Sequence, residues 1–249
     1  MESARLLATL ADEGALLAAA AQRAGTDAEI PTCPGWRMRD LLRHTGAVHR
    51  WAATLVAERH TARQPMTGGP KLDSTELISW YRDSHHRLVE TLASAPPDVQ
   101  VWTFHPAPVA SPLTFWVRRQ AHETAVHRVD AEGADGEAPV SGTSAIDADF
   151  AVDGIDELLR GFHARSTSRV RTETPSVLRV RATDADAVWT VRLSLGPPST
   201  TAGEVADSDC ELAGPADQLY LALWNRRPVP RIVGDESVAA LWLASSAIG

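Results

Sequence analysis

The sequence predicts an α+β protein: an N-terminal four-helix bundle followed by a smaller C-terminal α+β domain. Four segments with helical patterning precede Gly133. Strand-like alternation arises only beyond it, in Val177-Leu-Arg-Val180 and Val188-Trp-Thr-Val-Arg-Leu193. Between the two regimes, the turn-forming stretch Gly-Ala-Asp-Gly-Glu-Ala-Pro at 133–139 marks a boundary. The expected domains are residues 1–135 and 136–249.

Taken in chain order, Leu6, Leu7, Leu10, Leu16 and Leu17 define a first helix from Ala4 to Arg23, closed by Gly25. A second follows Pro34-Gly35 and runs to about Arg59, with Leu41, Leu42, Val48 and Trp51 on its apolar face. Gly68, Gly69 and Pro70 separate it from a third, which opens at Asp73 or Ser74. There Asp73-Ser-Thr-Glu76 resembles a capping box, and Leu77, Trp80, Tyr81, Leu88 and Leu92 follow as a buried stripe. Pro96, Pro97, Pro106, Pro108 and Pro112 exclude a regular helix next, so the fourth runs from about Leu113 to Ala131. In the C-terminal domain, Asp147 to His163 reads as a helix and the two alternating segments as a hairpin around Thr-Asp-Ala-Asp. A strand near Cys210-Glu-Leu212 and helices Ala216 to Trp224 and Glu236 to Ala244 complete the layer.

Composition narrows the function. A chain of 249 residues with 44% apolar content can build real cores. A net charge of −8 without a basic cluster disfavours nucleic acid, whose binding rests on phosphate neutralisation. Apolar runs such as Ala15 to Ala21 fall short of the roughly 20 residues that span a bilayer, so no membrane partner is expected. The N-terminus Met-Glu-Ser-Ala-Arg lacks a secretory pattern, which implies a cytoplasmic protein. Cys33 and Cys210 fall in different expected domains and do not suggest a disulfide framework. Cys33 beside its Pro-Gly turn is either a packing residue or a thiol near a site.

The most informative chemistry lies in Arg118-Arg-Gln-Ala-His-Glu-Thr-Ala-Val-His-Arg-Val-Asp130. At about 100° per residue, Glu123 and His127 lie roughly 40° apart on one helix face, whereas His122 and His127 diverge by roughly 140°. The zincin pattern of two same-face histidines is therefore excluded. Glu123 and His127 make half of a metal site, although such pairs also occur as plain surface contacts. A third ligand must come from another segment, where His44 and His49 compete; five residues apart, they cannot both face one ion. Asp130 is placed to steady His127, or to pair with Arg118 or Arg119. Trp36, Trp51, Trp80 and Trp116 read as core aromatics rather than site residues.

Pro31-Thr-Cys-Pro-Gly-Trp36, leading into the His44 helix, and Phe115 to Asp130 resemble the mycothiol-dependent maleylpyruvate isomerase family of DinB-like metalloenzymes. The resemblance implies a metal held by His44, Glu123 and His127. Leu219-Tyr-Leu-Ala-Leu-Trp-Asn-Arg226 resembles the family's smaller, sterol-carrier-like domain, where an arginine is functionally important; Arg226, or its neighbour Arg227, matches it. The cofactors implied are Zn²⁺, or another divalent metal, and mycothiol, a cysteine-containing thiol of actinobacteria. A zinc-activated thiolate would attack an electrophilic small molecule, giving cis-trans isomerisation if the thiol leaves and S-transfer if it stays. A metal-containing carrier or regulator and a thiol-independent zinc hydrolase are the alternative functions. The sequence leaves the oligomeric state open.

Overall fold

The computed structural model describes residues 1–135, 145–203 and 207–248, so 136–139 of the anticipated boundary stretch lie outside the described residues. Two compact units are present: Met1–Phe104 with Val109–Ser144, and His105–Pro108 with Ala145–Gly249.

The first unit is built from α1 (Ser3–Ala24), α2 (Met38–Ala57), α3 (Ser74–Ser94) and α4 (Pro112–Glu132). Helix α1 packs on α4 and α3, and α2 packs on α3 and α4, which closes a four-helix bundle. Leu10, Leu17, Leu41, Leu42, Leu77 and Tyr81 are fully buried in it. Close approach of α2 to α3 depends on Gly46, where an added Cβ would lie 2.3 Å from the Trp80 ring. Ser111 caps α4 by accepting from Thr114 N, and Pro112 takes the first turn, where its missing N–H costs nothing. The capping box expected at α3 does not form: the Asp73 side chain makes no capping bond. Its carboxylate is turned toward Arg43, whose Nη2 donates to Oδ1 at 3.5 Å. At α2, the Asp40 carboxylate accepts from Arg37 N at 3.0 Å.

Helix α4 departs from the amphipathic pattern, because Arg119, Gln120, His122, Thr124, His127, Arg128 and Asp130 are all buried. A helix enclosed on nearly all sides must satisfy its polar groups inside the fold. Arg128 does so by donating Nε to Glu13 Oε2 at 2.6 Å and Nη1 to Glu132 Oε2 at 2.8 Å.

In the second unit, Asp147 caps α5 (Ala148–Glu157) by accepting from Phe150 N. The single helix expected to His163 widens into a π turn over Leu158–Phe162. Strands β1 (Ser176–Ala182), β2 (Ala187–Leu193), β3 (Ser199–Ala202), β4 (Cys210–Gly214) and β5 (Arg231–Gly234) form one sheet in the order β3-β2-β1-β4-β5. β1 and β2 pair antiparallel as the expected hairpin, with Leu178 opposite Val191. β4 pairs parallel to β1. Helices α6 (Ala216–Leu223) and α7 (Glu236–Ser245) complete the unit. Among the described residues, no helix is long and apolar enough to cross a membrane.

His163 sits in this unit, 1% exposed, with its ring 4.7 Å from that of Trp242. Burial pushes its imidazole from the ordinary 6.5 down to about 4. Between those values the unfolded chain binds a proton that the folded chain refuses. Stability is therefore fully present above pH 6.5 and is lost as pH falls toward 4. At pH 5 the expected cost is about 2 kcal/mol. Urea unfolding at pH 7.5 and 5.0 should show a change in stability on acidification that is about 2 kcal/mol less unfavourable in His163→Gln than in the wild type, the other titrating groups being common to both; equal changes would remove His163 as a cause.

Candidate metal centre

Helix α2 presents His44, and α4 presents Glu123 and His127 one turn apart. His44 Nε2 lies 3.3 Å from Glu123 Oε1, and His127 Nε2 lies 3.4 Å from the same oxygen. The two imidazoles meet edge to face with ring centroids 5.1 Å apart. One ligand atom from each of the three residues falls within 4.8 Å of the other two, the arrangement in which they could share an ion. The side chains of His44 and Glu123 keep 32% and 21% exposure, so one side of the cluster faces solvent.

Each α4 member is held from behind. Asp130 Oδ2 accepts from His127 Nδ1 at 2.9 Å, which keeps a proton on Nδ1 and turns Nε2 toward Glu123. Arg119, itself buried, donates Nη2 to Glu123 Oε2 at 3.3 Å and leaves Oε1 toward the histidines. Burial by itself would raise the Glu123 carboxyl, but hydrogen bonds from His127 and His44 and the charge of Arg119 hold it well below the usual range. Burial would likewise depress His127, yet its hydrogen bonds to Asp130 and Glu123 lift it to about 9. Two imidazole nitrogens and one carboxylate oxygen, converging and braced in this way, fit a divalent ion such as Zn²⁺. An entering cation would displace the second proton of His127.

His49, the competitor for the third position, is buried away from the cluster, with Nε2 2.9 Å from Thr124 Oγ1. Burial and the neighbouring His85 push its pKa well down. His122 is fully buried and outside the cluster. Trp116 is a fully buried core residue, and the half-buried Trp51 packs on it edge to face at 5.4 Å. Trp80 lies against Gly46 and under the Arg50 guanidinium. Trp36 packs against the bundle core, as expected, and also reaches the cluster: its ring lies 5.1 Å from that of His44 and stacks at 6.4 Å on that of His127.

Two further contacts escaped the sequence reading in whole or part. Thr32 Oγ1 donates to Asp130 Oδ1 at 2.5 Å, and Cys33 Sγ to Asp130 Oδ2 at 3.5 Å. The only hint in the sequence was that the Pro31–Trp36 turn directly precedes the His44 helix. Arg226 belongs to the second unit, just past α6, half-buried and donating Nη1 to Trp224 O at 2.8 Å.

Family comparison accounts for both parts of the chain. Residues 7–132 match the mycothiol maleylpyruvate isomerase N-terminal domain, and residues 149–243 match the C-terminal domain of the same family. Among solved structures, mycothiol-dependent maleylpyruvate isomerase aligns over 91% of this chain and 90% of its own, at 13% identity and a TM-score of 0.60. A histidine-to-alanine mutant of that enzyme aligns over 90% of both chains, at 13% identity and a TM-score of 0.59. No curated protein sequence matches. With both family domains present in order and spanning most of its length, the chain belongs to the mycothiol maleylpyruvate isomerase family.

Proposed function

We propose that this protein is a zinc-dependent, mycothiol-using enzyme that delivers a thiolate to an electrophilic small molecule, with His44, Glu123 and His127 as the metal ligands. The observation that carries the proposal is the meeting of these three donor groups from α2 and α4 within 4.8 Å, in a chain carrying both family domains. Zinc at this position would supply the Lewis acidity that makes a thiol available as thiolate near neutral pH. The protein's own contribution is arrangement. Asp130 keeps the proton on His127 Nδ1, Arg119 fixes which Glu123 oxygen faces the histidines, and Trp36 covers one flank of both imidazoles. The solvent-facing side of His44 and Glu123 is where a thiol and an electrophile would enter.

Isomerisation and S-transfer place the same demand on this site, a thiolate beside an electrophile, and differ in whether the thiol is released. Arg226 is proposed to bind a carboxylate of substrate or cofactor, a task suited to a guanidinium fork. The absence of a basic cluster supports small-molecule partners rather than nucleic acid.

Calorimetric titration of zinc-loaded protein with mycothiol, beside His44→Ala, tests the proposal. Binding with a dissociation constant on the order of micromolar, about 8 kcal/mol, is expected for the wild type and not for the variant. A fully metallated protein that ignores mycothiol would instead direct attention to a thiol-independent zinc hydrolase or a carrier.

A further inference from the structure

We infer that Thr32 is a positioning residue of the metal centre, its hydroxyl fixing the Asp130 carboxylate that in turn fixes the His127 imidazole. The inference rests on the metal reading of the site given above.

The relay is continuous in space although its ends are distant in sequence. Thr32 Oγ1 donates to Asp130 Oδ1 at 2.5 Å, and Asp130 Oδ2 meets His127 Nδ1 at 2.9 Å. The hydroxyl and the imidazole therefore engage opposite oxygens of one fully buried carboxylate. A carboxylate held on one oxygen alone can rotate about its last torsion, a broad one, and carry the imidazole with it. Held on both, it fixes the plane in which His127 Nε2 points. Cys33 adds a long thiol contact at 3.5 Å to the oxygen His127 also uses. A thiol is a weak donor, so of these two loop residues Thr32 makes the stronger hold, and it makes it on Oδ1.

The loop carrying Thr32 is built to hold a position. Ile30 N donates to Trp36 O, Cys33 N to Ile30 O, and Trp36 N to Cys33 O, so the turn closes on itself. Gly35 has φ of 85°, which side-chain-bearing residues rarely adopt. Both ends are anchored, since Ile30 is 2% exposed and Met38 fully buried. The same turn delivers the Trp36 ring to the two histidines, so it touches the centre at two independent points.

The competing role for Thr32 is structural, a tie between the loop and α4. Thr32→Val keeps the side-chain shape and removes the donor, while Thr32→Ser keeps the donor. Zinc affinity of the full chain would be measured by competition with a chromophoric chelator, and thermal unfolding of the metal-free protein in parallel. The relay requires zinc to bind roughly 10- to 100-fold more weakly in Thr32→Val, the range typical of outer partners of metal ligands. Thr32→Ser should return to within about threefold of wild type, because it restores the charge-assisted hydrogen bond. In Thr32→Val, the His127 Nδ1–H proton resonance should also shift from its wild-type position.

Thr32→Val that binds zinc as tightly as wild type, whether or not its melting temperature falls, overturns the inference. So does an affinity loss that Thr32→Ser fails to restore, since the hydroxyl would then not be the cause. Wild-type protein that takes up no zinc defeats the metal reading and this inference together, a result separable from the other two.

Discussion

His127→Ala is expected to leave the protein folded and unable to retain zinc. The imidazole is one of the three converging groups proposed as ligands, and the one whose proton and orientation are set by a buried aspartate. Removing it leaves His44 and Glu123, too few donors to hold a zinc ion closely. The affinity loss should be on the order of 10³-fold, beyond the 10- to 100-fold typical when only an outer partner is lost. Mycothiol-dependent turnover should disappear with the metal. Metal analysis of the purified variant after dialysis against a weak chelator gives the readout. Stoichiometric zinc in His127→Ala would reject this ligand set. Asp130, left without the imidazole, still has the Thr32 hydroxyl as a donor, which favours a folded variant.

Arg128→Met should destabilise the bundle by about 3–5 kcal/mol at pH 7. The Arg128 side chain is fully buried, and the two carboxylates it bridges, Glu13 and Glu132, keep only 10% and 6% exposure. Methionine fills much of the space without supplying a positive charge. Two near-buried anions would then lose the charge that pairs with both, and taking up protons would relieve them. The deficit should therefore shrink as pH falls toward 5. It should also be partly recovered in the triple variant Glu13→Gln, Arg128→Met, Glu132→Gln. Urea unfolding followed by circular dichroism measures each of these. A loss under about 1 kcal/mol for Arg128→Met alone would show that the network contributes little, as for exposed ion pairs.

Local pattern was enough to place seven helices near their observed positions and to pair β1 with β2, because amphipathic spacing and alternation record which face of an element is buried. It was also enough to select Glu123 and His127, since a four-residue spacing on a helix has one geometric meaning. The choice of His44 over His49 came from the resemblance carried by residues 31–36 and 115–130, and matches to both family domains support that kinship. Strands β3 and β5 were not legible: Ser199–Ala202 and Arg231–Gly234 sit at the sheet edges, largely exposed, and are held by backbone hydrogen bonds that leave no alternation to read.

Tertiary structure alone decided the surroundings of the cluster. Trp36 looked like any core aromatic until the turn at Gly35 laid its ring against both histidines. Asp130 had several arginines within helical reach, and the fold gave it the Thr32 hydroxyl from 98 residues away. The physical reason is the burial of α4. On an exposed helix the partners of a polar side chain are its neighbours three or four residues along. On a helix enclosed by the rest of the bundle they are whatever the packing brings to it, and no local pattern encodes that.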